Sequence, residues 1–239
     1  MPTLEICIDS HAGLAAAIEG GADRIELCAA LDLGGLSPPL SLLKAAQDCP
    51  VPVYCMVRPR PGDFVYSPAE IAGMCTEIAQ IRDLGLAGVV LGAGQPDGLD
   101  VAALEILTTA AEGLGRTLHR VVDLLEDRIH AVNIANDLGF ERILTSGGAP
   151  KAIDGVDSIA SMVAAAPEGL SVMPGGGVTP GNAADILRRT GAREIHGSAS
   201  RITAAGSSKL RDLEFIGDRQ RETDAATVRA LKEAIRRSA

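Results

Sequence analysis

The sequence predicts an α/β protein, a single (β/α)8 (TIM) barrel with a short helical C-terminal extension, and three observations predict it. First, four stretches open alike: Gly21-Ala-Asp-Arg-Ile-Glu-Leu-Cys28, Gly85-Leu-Ala-Gly-Val-Val-Leu-Gly92, Gly139-Phe-Glu-Arg-Ile-Leu-Thr-Ser146 and Gly191-Ala-Arg-Glu-Ile-His-Gly-Ser198. Each glycine follows a segment of helical apolar periodicity, where it suits a left-handed cap, and then gives way to strand-like alternation. Second, eight strand candidates alternate with helical patterns, at residues 4–9, 23–28, 51–58, 88–92, 116–122, 141–146, 170–174 and 194–198. That order, in 239 residues, matches the size of a TIM barrel. Third, the strands are polar on one side. An open, doubly wound sheet covered on both faces would show continuous apolar runs and, in its nucleotide-binding form, Gly-x-Gly-x-x-Gly after the first strand, which is absent here. A closed barrel has an inside that can carry polar groups.

The elements follow in order. On the first strand Leu4, Ile6 and Ile8 alternate with Glu5, Cys7 and Asp9, and on the second Ile25 alternates with Arg24, Glu26 and Cys28. Because side chains alternate across a strand, the apolar set meets the helices and the polar set points inward. The third strand ends in Arg58-Pro-Arg60-Pro-Gly62-Asp63, the fifth brings His119, Arg120 and Asp123, the sixth Arg142, Leu144 and Ser146, and the eighth His196. Pro174-Gly175-Gly176-Gly177 follows the seventh strand, with Thr179-Pro180 as a helix-start signal, and Gly197-Ser198 follows the eighth. Residues 1–205 form the barrel domain. Residues 206–239 form an extension that ends in an amphipathic helix and packs on the barrel or on a partner subunit.

Net charge of −9 and 2% aromatic residues argue against a nucleic-acid partner, which needs a basic stripe and stacking platforms. No leader-like or membrane-spanning apolar run is present, so the sequence points to a cytoplasmic chain with no membrane partner. Five cysteines, Cys7, Cys28, Cys49, Cys55 and Cys75, show no C-x-x-C spacing and suit reduced thiols.

Reacting groups in this fold sit at the carboxyl ends of the strands. Glu26 and His119 are the candidate acid/base pair there, with Arg58, Arg60, Asp63 and Arg120 as candidate substrate or anion ligands. Gly175, Gly176, Gly177 and Ser198 offer backbone N–H groups for a phosphate-like anion, although glycine triplets also form plain tight turns. Arg24 and Arg142 lie near the amino ends of their strands and read as structural. Cys7 and Cys28 sit at matched heights on neighbouring inward faces, so their sulfurs could share Cu(I), or Zn(II) with two further ligands. The alternative is that they are two small buried hydrophobes.

These motifs resemble the CutC family. The likeness runs from Leu4 to about Ser200 and rests on Leu4-Glu-Ile-Cys7, the Gly21–Cys28 phrase, Gly34-Gly-Leu-Ser-Pro38, Arg58-Pro-Arg60 with Gly62-Asp-Phe-Val-Tyr66, His119-Arg120 with Asp123, Phe140-Glu-Arg-Ile-Leu-Thr-Ser-Gly147 and Met173-Pro-Gly-Gly-Gly-Val178. Leu33 stands where the family commonly has Glu, and Val121-Val122 replaces its usual Ala-Phe. The resemblance implies a (β/α)8 barrel in copper homeostasis that binds Cu(I) through Cys7 and Cys28; the chain is expected to form a homo-oligomer in the cytoplasm. An enzyme acting on a small anionic or phosphorylated substrate at the barrel mouth is the alternative.

Overall fold

The four repeat glycines each end a helical segment with positive φ, at 85° for Gly21, 72° for Gly85, 69° for Gly139 and 70° for Gly191. At Gly21 the cap N–H reaches back to the Ala17 and Ile18 carbonyls, which stops the helix and turns the chain into the next strand. The computed structural model describes residues 1–203, 208–213 and 220–237, so the expected domain boundary at 205/206 lies outside the described residues.

In chain order the elements are β1 (Thr3–Ile8), α1 (His11–Gly20), β2 (Arg24–Leu27), α2 (Leu40–Ala45), β3 (Val53–Met56), α3 (Pro68–Asp83), β4 (Gly88–Leu91) and α4 (Val101–Ala110). They continue with β5 (Gly115–Leu118), α5 (Arg128–Asp137), β6 (Arg142–Thr145), α6 (Val156–Ala165), β7 (Ser171–Pro174), α7 (Ala183–Thr190) and β8 (Glu194–Gly197). These eight strands form one sheet in the order β8-β1-β2-β3-β4-β5-β6-β7, and every pairing is parallel. β7 and β8, at the two ends of this order, lie side by side and bring the sheet round into a nearly closed barrel.

The alternation sorts as the sequence requires. Ile6, Ile8, Ile25, Leu27, Val89, Leu91, Ile143 and Ile195 join the large apolar core between strands and helices. Each such side chain contributes roughly 1.5–3 kcal/mol on burial. A smaller apolar cluster of Cys28, Tyr54, Met56 and Val90 fills part of the inside. Tyr54 fits because β4 and β5 begin with glycine. A Cβ on Gly88 would stand 2.4 Å from the Tyr54 ring and one on Gly115 2.3 Å from its hydroxyl oxygen.

The amino end of the barrel is closed by ion pairs. Arg24 bridges Glu5 and Glu194, while Arg142 donates to Glu194 at 2.6 Å and to Thr117 Oγ1 at 3.0 Å. Both guanidinium groups also lie over the Tyr54 ring, at 5.6 and 5.1 Å from its centre. The structural reading of Arg24 and Arg142 agrees with this arrangement.

Two predicted strands are shorter than the apolar runs suggest. The fifth stops at Leu118, because the His119 imidazole accepts the Val121 N–H at 3.2 Å and caps a 3-10 turn over Arg120–Leu124. The third stops at Met56, and Arg58 is drawn into loop contacts described below. Beyond the barrel, β9 (Ser200–Thr203) pairs antiparallel with β10 (Gln220–Thr223), and α8 (Ser208–Asp212) lies between them in sequence. The last helix, α9 (Ala225–Arg236), packs on the barrel's own α1 and α7 and buries Val228, Leu231 and Ile235. Gly20 permits the approach, since a Cβ there would be 2.3 Å from Val228 Cβ. Among the described residues no helix is long and apolar enough to cross a membrane.

Candidate functional site

A cavity of about 450 Å³ opens at the carboxyl ends of the strands, and Cys7, Glu26 and His196 line its floor. Strand register explains why these three meet. Glu5 is level with His196 across the β1–β8 pair, and Cys7 is level with Glu26 across the β1–β2 pair. One ligand-capable atom from each of Cys7, Glu26 and His196 lies within 4.8 Å of the others. The matched height expected for Cys7 and Cys28 is therefore corrected. Barrel strands are staggered, so the inward residue opposite Cys7 is Glu26, and Cys28 stands two residues further along. Cys28 is fully buried beside Met56 and Gly35, with its thiol 3.6 Å from Glu26 Oε2.

His196 sits between two carboxyl groups. Its Nδ1 donates to Glu5 Oε1 at 2.8 Å, and its Nε2 lies 3.7 Å from Glu26 Oε2. Burial works against the imidazolium, yet the neighbouring Cys7 and Glu26 charges and the hydrogen bonds to Cys7 and Glu5 outweigh it and raise the His196 pKa well above its ordinary value. For Glu5, burial pushes the carboxyl up, but Arg24 and His196 together hold it at about 2. Burial raises Glu26, and its Oε1 is a buried acceptor with no hydrogen-bond partner among the described residues. Burial raises both Cys7 and Cys28, Cys28 well above the usual thiol range because the Glu26 charge adds to it.

His119 forms another part of the wall. Burial, reinforced by the Arg58 charge, lowers its pKa to about 3, so the ring is neutral near pH 7. Since Nδ1 accepts the Val121 N–H, the ring proton belongs on Nε2, which is buried and has no partner in the protein among the described residues. The imidazole is thus suited to donate to an incoming oxygen rather than to take a proton. Phe64 packs on it with ring centres 4.7 Å apart, and Gly92 leaves it room, since a Cβ there would be 2.5 Å from the ring.

The arginines divide. Arg58 lines the cavity, but its guanidinium donates to the carbonyls of Leu33, Gly35 and Gly62 at 2.9–3.0 Å and so ties two loops together. Arg60 pairs with Glu70 at 2.5 Å and with Asp63 at 3.0 Å, and neither Arg60 nor Asp63 lines this cavity. Arg120 does line it, paired with Asp123 at 2.7 Å and donating to Ser146 Oγ at 2.5 Å. Asp123 in turn accepts from the Ser146 and Gly148 N–H groups and the Thr145 hydroxyl, which fixes the loop after β6.

Opposite lie the glycine loops. Gly175 is committed to the Thr145 carbonyl, whereas Gly176 and Gly177, both with positive φ, line the cavity together with Ser198 and Ala199. Among the described residues none of these last four donates a backbone hydrogen bond to the protein. Sequence reasoning missed Arg221, Thr223 and Thr227, which reach the cavity from the C-terminal extension. Their approach depends on the β9–β10 pairing, for which residues 206–239 carry no local motif.

A sequence profile described as the CutC family matches residues 2–201. The chain belongs to the CutC family. A CutC family protein of Caulobacter vibrioides is 48% identical over 236 residues, covering 98% of this chain and 96% of that one. One of Sinorhizobium medicae is 48% identical over 233 residues, covering 97% and 95%. Among solved structures, a copper homeostasis protein CutC from Streptococcus agalactiae superposes with a TM-score of 0.79 at 30% identity, over 83% of this chain and 99% of that one. The match to the CutC family includes Cys7, Glu26, Cys28, His119 and His196, and it stops short of Arg221.

Proposed function

We propose that this CutC family barrel serves copper homeostasis, taking Cu(I) as cargo at the floor of its cavity with Cys7 and Cys28 as the thiolate donors. The observation that carries this reading is a buried thiol, Cys7, that nevertheless lines an open cavity, with a second buried thiol, Cys28, just past the end of the next strand. Cu(I) is soft and favours sulfur at low coordination number, and the name of the Streptococcus agalactiae relative agrees with copper as the ion concerned. Glu26 Oε2 adjoins the Cys28 thiol and is placed to accept its proton as the ion enters. The same reading keeps the chain in the cytoplasm, where its thiols stay reduced. It also allows self-association through the exposed Ile202 and Leu213 of the C-terminal segment.

Competition against a Cu(I) chelator tests it. Cys7→Ser and Cys28→Ser should each weaken binding at least about 100-fold, and affinity should fall with pH because ligation requires thiolates. Cys75→Ser should leave the affinity unchanged. Parent-like affinity in the Cys7→Ser/Cys28→Ser double variant would overturn the proposal.

A second reading, an enzyme acting on a small anionic or phosphorylated substrate, is favoured by a different observation. Gly176, Gly177, Ser198 and Ala199, whose N–H groups have no partner among the described residues, line the same cavity as Glu26 and His119, whose Oε1 and Nε2 likewise have none there. Such N–H groups suit an anion, His119 a substrate oxygen, and Glu26 proton transfer. Arg221 and Arg120 would complete the anion site. Calorimetric titration with inorganic phosphate should show binding that Arg221→Gln weakens about tenfold. Absence of any phosphate binding in the parent protein would overturn this reading.

A further inference from the structure

The cavity floor holds a donor set that a soft thiophilic ion does not need. Cys7, Glu26 and His196 bring one sulfur, one carboxylate and one imidazole within 4.8 Å of each other, all buried, and all three line the cavity. Cys28 is outside both this set and the cavity lining. Two thiolates alone would satisfy Cu(I). A sulfur, nitrogen and oxygen together match a borderline divalent ion, for which such mixed sets are the usual ligands.

We propose that Cys7 Sγ, Glu26 and His196 Nε2 form a three-donor site for a borderline divalent cation such as Zn(II), with its fourth position open to the cavity. This extends the metal reading of the cavity floor given above but replaces Cys28 with an imidazole and a carboxylate. Three features of the site support it independently of one another. The separation of His196 Nε2 and Glu26 Oε2, 3.7 Å, is near the spacing of about 3.4 Å that two ligands of one tetrahedral ion would have. The other imidazole nitrogen is held by Glu5, which accepts from Nδ1 at 2.8 Å, so the ring is oriented with Nε2 toward Glu26 and Cys7. A carboxylate behind the histidine is the usual support for a metal-bound imidazole. Finally, Glu26 Oε1 is buried with no hydrogen-bond partner among the described residues, an acceptor that a cation would satisfy.

The arginines around the floor already have partners. Arg24, on the far side of Glu5, neutralises that carboxylate, so Glu5 acts as a support and not as a ligand. Arg58 and Arg120 line the wall, and their guanidinium groups are already engaged by loop carbonyls and by Asp123 respectively. Ligation at the floor then requires the Cys7 thiol and the His196 Nε2 to release their protons, so binding releases protons and weakens as the pH falls. Gly176 and Ser198 line the same cavity, so an oxygen of a small anion held there would be the fourth ligand.

Titration of the full chain with Co(II), confirmed by competition with Zn(II), tests the assignment. The expected result is one cobalt per chain with a sulfur-to-cobalt charge-transfer band and the intense visible absorption of four-coordinate Co(II). Cys7→Ser should abolish the charge-transfer band. Glu26→Gln and His196→Gln should each lower affinity by more than the 10–100-fold expected for the supporting variant Glu5→Gln. Cys28→Ser should keep both the band and the affinity. Glu26→Gln is near-isosteric, and its circular dichroism and melting temperature separate lost ligation from lost folding. Failure to bind cobalt, cobalt bound without the sulfur band, or affinity lost in Cys28→Ser and kept in Glu26→Gln would each overturn the proposal. The Cu(I) competition experiment reads the thiol pair separately, so either proposal can fail while the other stands.

Discussion

Replacing Arg24 with Met is expected to destabilise the protein by about 3–5 kcal/mol, measured by urea unfolding at pH 7. Arg24 is the shared partner of Glu5 and Glu194 at the amino end of the barrel, and all three side chains are largely withdrawn from water. Methionine fills a similar volume and can still lie against Tyr54, so the loss isolates the charge. Glu194 keeps Arg142, at 2.6 Å, whereas Glu5 keeps only His196. Removing the exposed partner of a surface pair costs little, but a buried carboxylate left without its guanidinium keeps its full desolvation penalty. Adding Glu5→Gln to Arg24→Met should therefore recover part of the loss. A single variant as stable as the parent would show that the network is dispensable.

Acid should destabilise the protein from about pH 6.5 downward, earlier than carboxylate protonation alone would predict. The cause is His119, whose pKa in the folded chain is held at about 3 by burial and by Arg58, against 6.5 in an unfolded chain. A depressed value means that the unfolded chain takes the proton first. The His119 contribution is thus full above pH 6.5 and falls as the pH drops toward 3, by on the order of 3–5 kcal/mol, whereas that of His196, whose pKa is raised, is complete below 6.5 and constant over this window. Glu5 acts in the same direction but later, since its contribution is complete above about 4.5 and is lost as the pH falls toward 2. Glu26 acts in the opposite direction, because its raised pKa lets the folded state take up a proton first. His119→Asn separates these effects, as the amide oxygen can still accept the Val121 N–H and carries no titrating proton. Unfolding free energies of parent and variant, measured from pH 7 to 3.5, should diverge progressively in the variant's favour. Parallel curves would mean that His119 is not held neutral.

Much of the architecture was legible because strand alternation and helix-ending glycines are local signals. Ile25, Val89, Ile143 and Ile195 face the helices and Arg24, Glu26 and Arg142 face inward for the reason the sequence suggests. Strand ends were less legible. His119 looks like one more strand residue until its ring is seen to cap a turn, a hydrogen bond that apolar periodicity does not encode. The candidate site was legible as a list of inward polar residues and misleading as a set of partners. Arg60 and Asp63 carry the right chemistry at the right strand end, but Glu70, in the first turn of α3, draws Arg60 away from the cavity. Arg221 gave no signal, because its segment reaches the mouth through a strand pairing that no local pattern in residues 206–239 encodes.

By itself, the sequence determined the barrel, its inward ionic lining, and the resemblance to the CutC family, since each depends on residue order along single elements. Only the tertiary structure decided which inward groups meet. The stagger between neighbouring strands sets Cys7 level with Glu26 and Glu5 level with His196, and no periodicity within one strand contains that offset.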